Sequence, residues 1–377
     1  MKTTFTGAQA AGFRLRRQHL QPSKQIPRAR CPDTVVDICR DTAGIQAQVM
    51  SAAEMSIWTR GRTITRDDIR AALWTRREVV KTSAMRFTLH LVPADDFATY
   101  IAALKPSAYG IINRVFTRLS ARPDDVQAVI QSVVDALADG PKTQQELVAV
   151  AARTPSKGVR AWLKLAWSAV RPAVVQGLVV YGPSKGGEVT FVRTDKWLPP
   201  QPVIATDDAR AALMRKFLAA FGPATPHDFA KWSGIPIGDA KRVLQSIADD
   251  TIAVTVDGAP GWVLRHHVDE LRESRLDDTI RLLPAFDTLL LAHATKEHIV
   301  DLKYYKRVYR PQAWISPVVL AGGRIVAVWF PKTRGKRVEV DVQPFTPLPR
   351  RIRDAVAEET AALGAFLGVD AQVRFTR

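Results

Sequence analysis

Gly140-Pro-Lys-Thr-Gln-Gln-Glu-Leu147 returns 82 residues later as Gly222-Pro-Ala-Thr-Pro-His-Asp-Phe229. A third stretch, Thr65-Arg-Asp-Asp-Ile69, precedes the first of these by 78 residues when the threonines are aligned. All three read threonine, two residues, an acid, then a hydrophobe. This pattern starts helices, because the threonine oxygen accepts a free backbone N–H and the acid reaches back to the cap. Near-equal spacing predicts one module used three times.

The residues after each start support the same module. In the second copy a helical stretch over 159–175 leads into Leu178-Val-Val-Tyr181. A Pro183–Gly187 turn then precedes Val189-Thr-Phe-Val192. In the third copy, helical 240–247 leads to Ile252-Ala-Val-Thr-Val256 and Trp262-Val-Leu264 around Asp257-Gly258, a strong hairpin signal. In the first copy the hairpin is replaced by a long strand-like run over 79–92. Helices followed by a hairpin predict a winged helix, a helix-turn-helix variant whose second helix commonly enters a major groove. From about Arg281 the character changes to β. Stretches 315–320, 324–330 and 338–342 read as strands, and an amphipathic helix over 349–366 closes the chain. At the other end, Leu15-Arg-Arg-Gln-His-Leu20 reads as a short helix leading into the fold. The expected domains are 1–122, 123–204, 205–275 and 276–377.

Composition narrows the function. The chain has 377 residues, 46% of them apolar, and a net charge of +17. Residues 1–32 carry seven Lys/Arg and no acid, and residues 302–338 carry nine, again with no acid. Tyr304, Tyr305, Tyr309, Trp314 and Trp329 are interleaved with the second cluster. A basic stretch bearing aromatics is the footprint of a polyanion binder. Lys303, Arg307, Lys332, Arg334, Lys336 and Arg337 are therefore expected to meet DNA, the last four from one hairpin tip. No apolar run approaches the ~20 residues of a membrane span. Cys31 and Cys39 match no zinc module, so neither a metal nor a disulfide is expected, and a reducing cytoplasm fits.

Gln46 and Gln48 come just after Gly44, at the start of an apolar, Ala/Met-rich run. A primary amide cannot ionise, yet its donors and carbonyl acceptor can hold a water or a base edge. On a regular helix, residues two apart point about 200° away from each other. Both glutamines can face one water only if the segment is not yet helical there, and Gly44 allows that.

Four stretches together resemble a known family. They are Gly44-Ile-Gln-Ala-Gln48, Met85-Arg-Phe-Thr-Leu-His-Leu-Val-Pro93, Leu282-Leu-Pro-Ala-Phe-Asp287 and the run from Ser316 to Trp329. In that order they look like the AlkZ-like winged-helix DNA glycosylases, which excise alkylated purines and unhook interstrand crosslinks. The resemblance implies three tandem winged helices in a C-shape followed by a β-barrel-like domain. It implies a Gln-x-Gln catalytic signature at Gln46 and Gln48, and a hairpin against the duplex, here Pro331 to Arg337. Phe87 departs from the pattern: the family usually has glycine there, and a phenyl ring is expected to narrow the pocket.

The chemistry fits the lesion. A purine alkylated at N3 or N7 is already cationic and leaves as a neutral base, so the protein has chiefly to orient water against an oxocarbenium-like sugar. Arg86 and His90, four apart in the strand-like run, are expected to share a face toward DNA phosphate or the site. A buried, hydrogen-bonded His90 is the alternative. Asp287 is a candidate carboxylate supporting the site, with a structural hydrogen bond to a loop as its alternative. The resulting expectation is a cytoplasmic, nucleoid-associated monomer acting on damaged double-stranded DNA without cofactor, metal or membrane. A winged-helix transcriptional regulator is the competing reading.

Overall fold

A computed structural model describes residues 3–22, 35–153, 156–165, 169–335 and 337–376. The chain begins with β1 (Thr3–Phe5) and α1 (Gly7–Arg17), the helix started by a capping box between Thr6 and Gln9. That cap puts the helix earlier than the 15–20 stretch read from sequence.

The first unit runs α2 (Val35–Asp41), β2 (Ile45–Gln46), α3 (Met50–Arg60), α4 (Arg66–Arg70), β3 (Val79–Ser83) and β4 (Leu89–Pro93). The run over 79–92 is thus not one strand. A single turn of 3₁₀ helix at Met85–Phe87 reverses the chain, and β3 and β4 pair antiparallel. Strands are commonly only about 5–6 residues long, which was the available signal. The long α5 (Phe97–Arg118) then carries the chain to the second unit. Its first half packs beside the helix Thr206–Phe221 of the third unit, and Ile112 and Phe116 enter the second unit's core.

The second unit is α6 (Pro123–Ala136), β5 (Lys142–Thr143), α7 (Gln144–Ala151), α8 (Lys157–Leu163), α9 (Arg171–Val175), β6 (Val179–Lys185), β7 (Glu188–Arg193) and the single turn α10 (Thr194–Trp197). The third is α11 (Thr206–Phe221), α12 (Pro226–Ser233), α13 (Ile237–Ser246), β8 (Thr251–Val256), β9 (Ala259–Leu264) and α14 (Val268–Glu273). Their sheets are ordered β2-β4-β3, β5-β7-β6 and β1-β8-β9. In the third unit an isolated bridge from Ala224 to Trp262 stands where the others have a short strand.

All three threonines do cap helices, each with the acid reaching back. The repeat is nevertheless out of register in its first copy. Thr143 and Thr225 start the second helix of their units, whereas Thr65 starts the third. The counterpart of α7 and α12 is α3, which begins after Val49 without a side-chain cap. A second correction concerns the N-terminus. β1 pairs in parallel with β8, Thr3 opposite Val254, and the Arg14 guanidinium donates to Phe221 O and Pro223 O. The first residues therefore pair with the third unit, while Gln18 and His19 at the end of the segment meet Arg60 and Asp41 of the first.

The last region comprises β10 (Ile280–Leu283), α15 (Thr288–Leu291), α16 (Tyr305–Val308), β11 (Val318–Ala321), β12 (Arg324–Arg334), β13 (Arg337–Pro344), α17 (Arg350–Leu367) and β14 (Asp370–Phe375). Its five strands form an open sheet in the order β10-β11-β12-β13-β14, a half-barrel and not a closed one. Val356 and Leu363 of α17 pack with Leu282, Trp329, Val340 and Val342. Trp58 of α3 joins the same cluster and stacks on Phe366, so the helix after the glutamines is seated directly on the C-terminal sheet. Among the described residues no helix is long and apolar enough to cross a membrane.

Candidate active site

Neither glutamine lies in a helix: Gln46 is in the short strand β2, and Gln48 is in a bend just before α3. Ala43 and Gly44 take φ of +53° and +95°, turning α2 into β2, and a Cβ on Gly44 would lie 3.1 Å from Met85 Cε. Ile45 and Gln46 pair antiparallel with Leu91 and His90, and Ala47 N–H donates to Leu89 O at 2.7 Å. The separation expected of two residues on a regular helix therefore does not arise. Gln46 is buried, and Gln48 is exposed just before α3.

Arg86 sets the orientation of Gln46. Its Nη2 donates to Gln46 Oε1 at 2.8 Å and its Nη1 to Trp232 O at the end of α12. A guanidinium can only donate, so the amide turns its oxygen to Arg86 and leaves its NH₂ facing away. Gln48 Oε1 lies 3.5 Å from the Leu89 N–H, a long contact with the same sense. Burial lowers the Arg86 pKa to about 10, still a cation at neutral pH, and among the described residues no carboxylate pairs with it.

Arg86 and His90 therefore do not share a DNA-facing strand. Arg86 sits in the turn between β3 and β4 with φ +53°, and His90 lies in β4 at 2% exposure, which rules out a phosphate contact for the imidazole. His90 Nδ1 is 3.0 Å from Thr88 O. Burial, reinforced by the Arg86 charge, pushes its pKa down to about 3, so the ring is neutral.

Phe87 adopts φ +64°, a left-handed backbone that favours glycine, which gives a physical reason for the glycine of the resemblance. Its ring does not lie free beside the glutamines. It packs onto the second unit's core, with the Arg171 guanidinium 3.7 Å from the ring centroid and Arg171 Nη2 donating to Phe87 O. The narrowing expected from sequence is not what this side chain does.

Asp287 is taken up elsewhere. Arg60 donates to both its oxygens at 2.8 Å, Ser56 Oγ donates to Oδ2 and Leu289 N–H to Oδ1. Both partners' side chains are wholly buried. The carboxylate ties the far end of α3 to the C-terminal region and has no oxygen to offer a sugar.

The basic surface is also thinner than charge counting implies. Arg307 spends its donors on Gln343 O and Pro344 O and lies over the Phe345 ring. Lys303 is exposed but paired with Asp301, Lys332 with Asp341, and Arg337 with Asp370. Lys336 and the Arg334 side chain lie outside the described residues. Arg334 stands opposite Arg337 across the β12–β13 turn, and β14 flanks β13 as far as Arg337 opposite Asp370, so this hairpin is continuous with the sheet. Lys306 and Arg310, two of the nine cations in 302–338 that the sequence did not single out, are both exposed, and among the described residues neither has an ion-pair partner. Of the interleaved aromatics, Trp329 is core, donating to Leu283 O, while Tyr305 and Trp314 are exposed. A cleft of about 1580 Å³ between α1, α13 and the β8–β9 hairpin contains none of the glutamine-site residues. Among the described residues no group of three His, Cys, Asp or Glu could hold a metal.

Comparison with known proteins points one way. The profile of the family "DNA glycosylase AlkZ-like" matches residues 39–366. The chain is 30% identical over 383 residues to the "Interstrand DNA cross-link repair glycosylase" of Streptomyces sahachiroi, covering 96% of each chain. The solved structure of Streptomyces sahachiroi DNA glycosylase AlkZ superposes with a TM-score of 0.84 at 26% identity, covering 100% of both chains.

Proposed function

Because the chain belongs to the AlkZ-like DNA glycosylase family, we propose that Gln46 and Gln48 position the water with which this glycosylase releases cationic N3- or N7-alkylated purines from duplex DNA. The observation that carries the reading is the pair of amides outside any helix ahead of α3, Gln46 being fixed by the half-buried Arg86 guanidinium at 2.8 Å. A pre-oriented amide donates to one lone pair of a water and leaves the other lone pair for C1′, with no reorganisation at the moment of reaction. The lesion supplies its own leaving-group activation, so no acid is needed at the purine. The protein acts as a monomer, and hydrolysis proceeds without a lysine Schiff base.

The relative in Streptomyces sahachiroi is named for interstrand cross-link repair, and we extend that substrate to this chain. Gln48 is exposed beside the buried Gln46, and an exposed amide can meet a bulky adduct that a closed pocket would exclude. The repeated order of helix, short strand or bridge, two or three helices and hairpin supports reading each unit as a winged helix. Lys306, Arg310 and the β12–β13 hairpin are then the DNA-facing surface beside the C-terminal sheet.

The test is chromatographic detection of free base from a duplex carrying one N7-methylguanine, and of strand separation from an N7-linked crosslinked duplex. Release from both is expected, and none from undamaged DNA. Tight binding with no release from either would leave a winged-helix binder in place of a glycosylase.

A further inference from the structure

The glutamine reading leaves one proton without a destination. Gln46 Oε1 is engaged by Arg86, and Gln48 Oε1 faces the Leu89 N–H. Each amide therefore offers the site a donor. A water held only by donors has nowhere to send its proton as it adds to C1′.

The sheet supplies an acceptor next to Gln46. Gln46 of β2 stands directly opposite His90 of β4, which stands opposite Thr82 of β3. Residues opposite each other in an antiparallel pair project from the same face with Cβ atoms about 4.5–5.5 Å apart, so the three side chains form one row. Thr88 O can only accept, so the His90 proton sits on Nδ1. Nε2 is then a lone pair, with no hydrogen-bond partner among the described residues. At the end of the row the Thr82 hydroxyl is fully buried and unpartnered. A donor, an acceptor and a hydroxyl left open side by side are what an ordered water satisfies.

We propose that His90 is a catalytic residue, its Nε2 accepting the proton of the water that Gln46 holds. This rests on the glutamine reading above. The water oxygen forms a bond to C1′ while the C1′–N9 bond breaks, its electron pair neutralising the alkylpurine cation. One water proton passes to Nε2, the other stays as the C1′ hydroxyl, and the positive charge of the lesion ends on the imidazolium, which returns its proton to solvent. The weak basicity of a buried imidazole suits this step. Water that has added to an oxocarbenium-like carbon is strongly acidic, so a modest acceptor suffices. The Thr82 hydroxyl lies across the ring from Gln46 and offers the proton its next stop.

Two variants separate this role from packing. In His90→Asn the side-chain amide can still donate to Thr88 O but lacks the Nε2 acceptor. His90→Gln returns an oxygen acceptor near the Nε2 position. Single-turnover base release from an N7-methylguanine duplex is expected to slow about 10²-fold in His90→Asn, with melting temperature and DNA affinity as in wild type. His90→Gln is expected to recover at least about tenfold of that loss. Wild-type rate in His90→Asn would overturn the proposal. So would equal loss in both variants accompanied by a lower melting temperature or weaker DNA binding, which is the signature of a packing role. A wild-type protein that releases no base would remove the glutamine reading itself, whereas wild-type activity with a fast His90→Asn removes only this role.

Discussion

Replacing Asp287 by alanine is expected to cost about 3–5 kcal/mol of folding stability, because it strands a wholly buried guanidinium without its counter-charge. Arg60 donates to both carboxylate oxygens at 2.8 Å, to Thr288 Oγ1 at 3.0 Å and to Gln18 Oε1 at 3.3 Å, so α1, α3 and the segment before α15 meet at one cation. Neither partner's side chain touches solvent. Removing both charges with well-packed apolar residues is expected to cost far less than removing one, because much of the loss is an unpaired charge and not the bond itself. Urea unfolding checks this: the midpoint should fall while the slope stays unchanged. At a temperature where the variant remains folded, base release should drop less than about tenfold, below what loss of a catalytic group costs. Unchanged stability with lost activity would restore Asp287 to the active site.

Arg86→Ala carries the second large effect. It leaves Gln46 Oε1 and Trp232 O without donors and frees the amide to flip, presenting oxygen or nitrogen at random. Base release is expected to fall about 10²-fold, the size associated with losing an oriented hydrogen-bonding group. Arg86→Lys should fall between, since an ammonium does not reproduce the rigid fork that reaches two acceptors. Affinity for DNA should stay within about threefold of wild type, and its salt dependence unchanged, because the guanidinium's donors go to Gln46 and Trp232. A salt slope lower by about one, with base release unaffected, would return Arg86 to the DNA surface.

Local signals in the chain were legible and long-range ones were not. The threonine caps and the Asp257-Gly258 turn are local chemistry, and the structure has all of them; Asp257 and Gly258 take φ of +47° and +84°. A cap marks that a helix starts, not which helix of a unit it is, so Thr65 misled the register. The parallel pairing of β1 with β8 joins residues some 250 apart and leaves no local trace. The left-handed turn at Arg86 and Phe87 was hidden because neither residue favours positive φ. That one turn decides whether Arg86 faces DNA or Gln46. Charge counting failed at Arg307 for a related reason: composition gives the cation but not the carbonyls it has already bound. The glutamines stand out in the sequence because their spacing and the neighbouring Gly44 are both written in the chain. Their orientation depends on a residue 40 positions away.

The measurement that tests the account most directly is single-turnover base release from a duplex carrying one N7-alkylguanine, by wild type, Gln46→Ala, Gln48→Ala and the double variant, with melting and DNA binding followed in parallel. Wild type is expected to release base, and each single variant to slow by about 10²-fold while folding and binding as before. The double variant should lose little more than the worse single, as groups that act as a unit do. Base release at the wild-type rate by a folded, DNA-bound double variant would contradict the account at its centre.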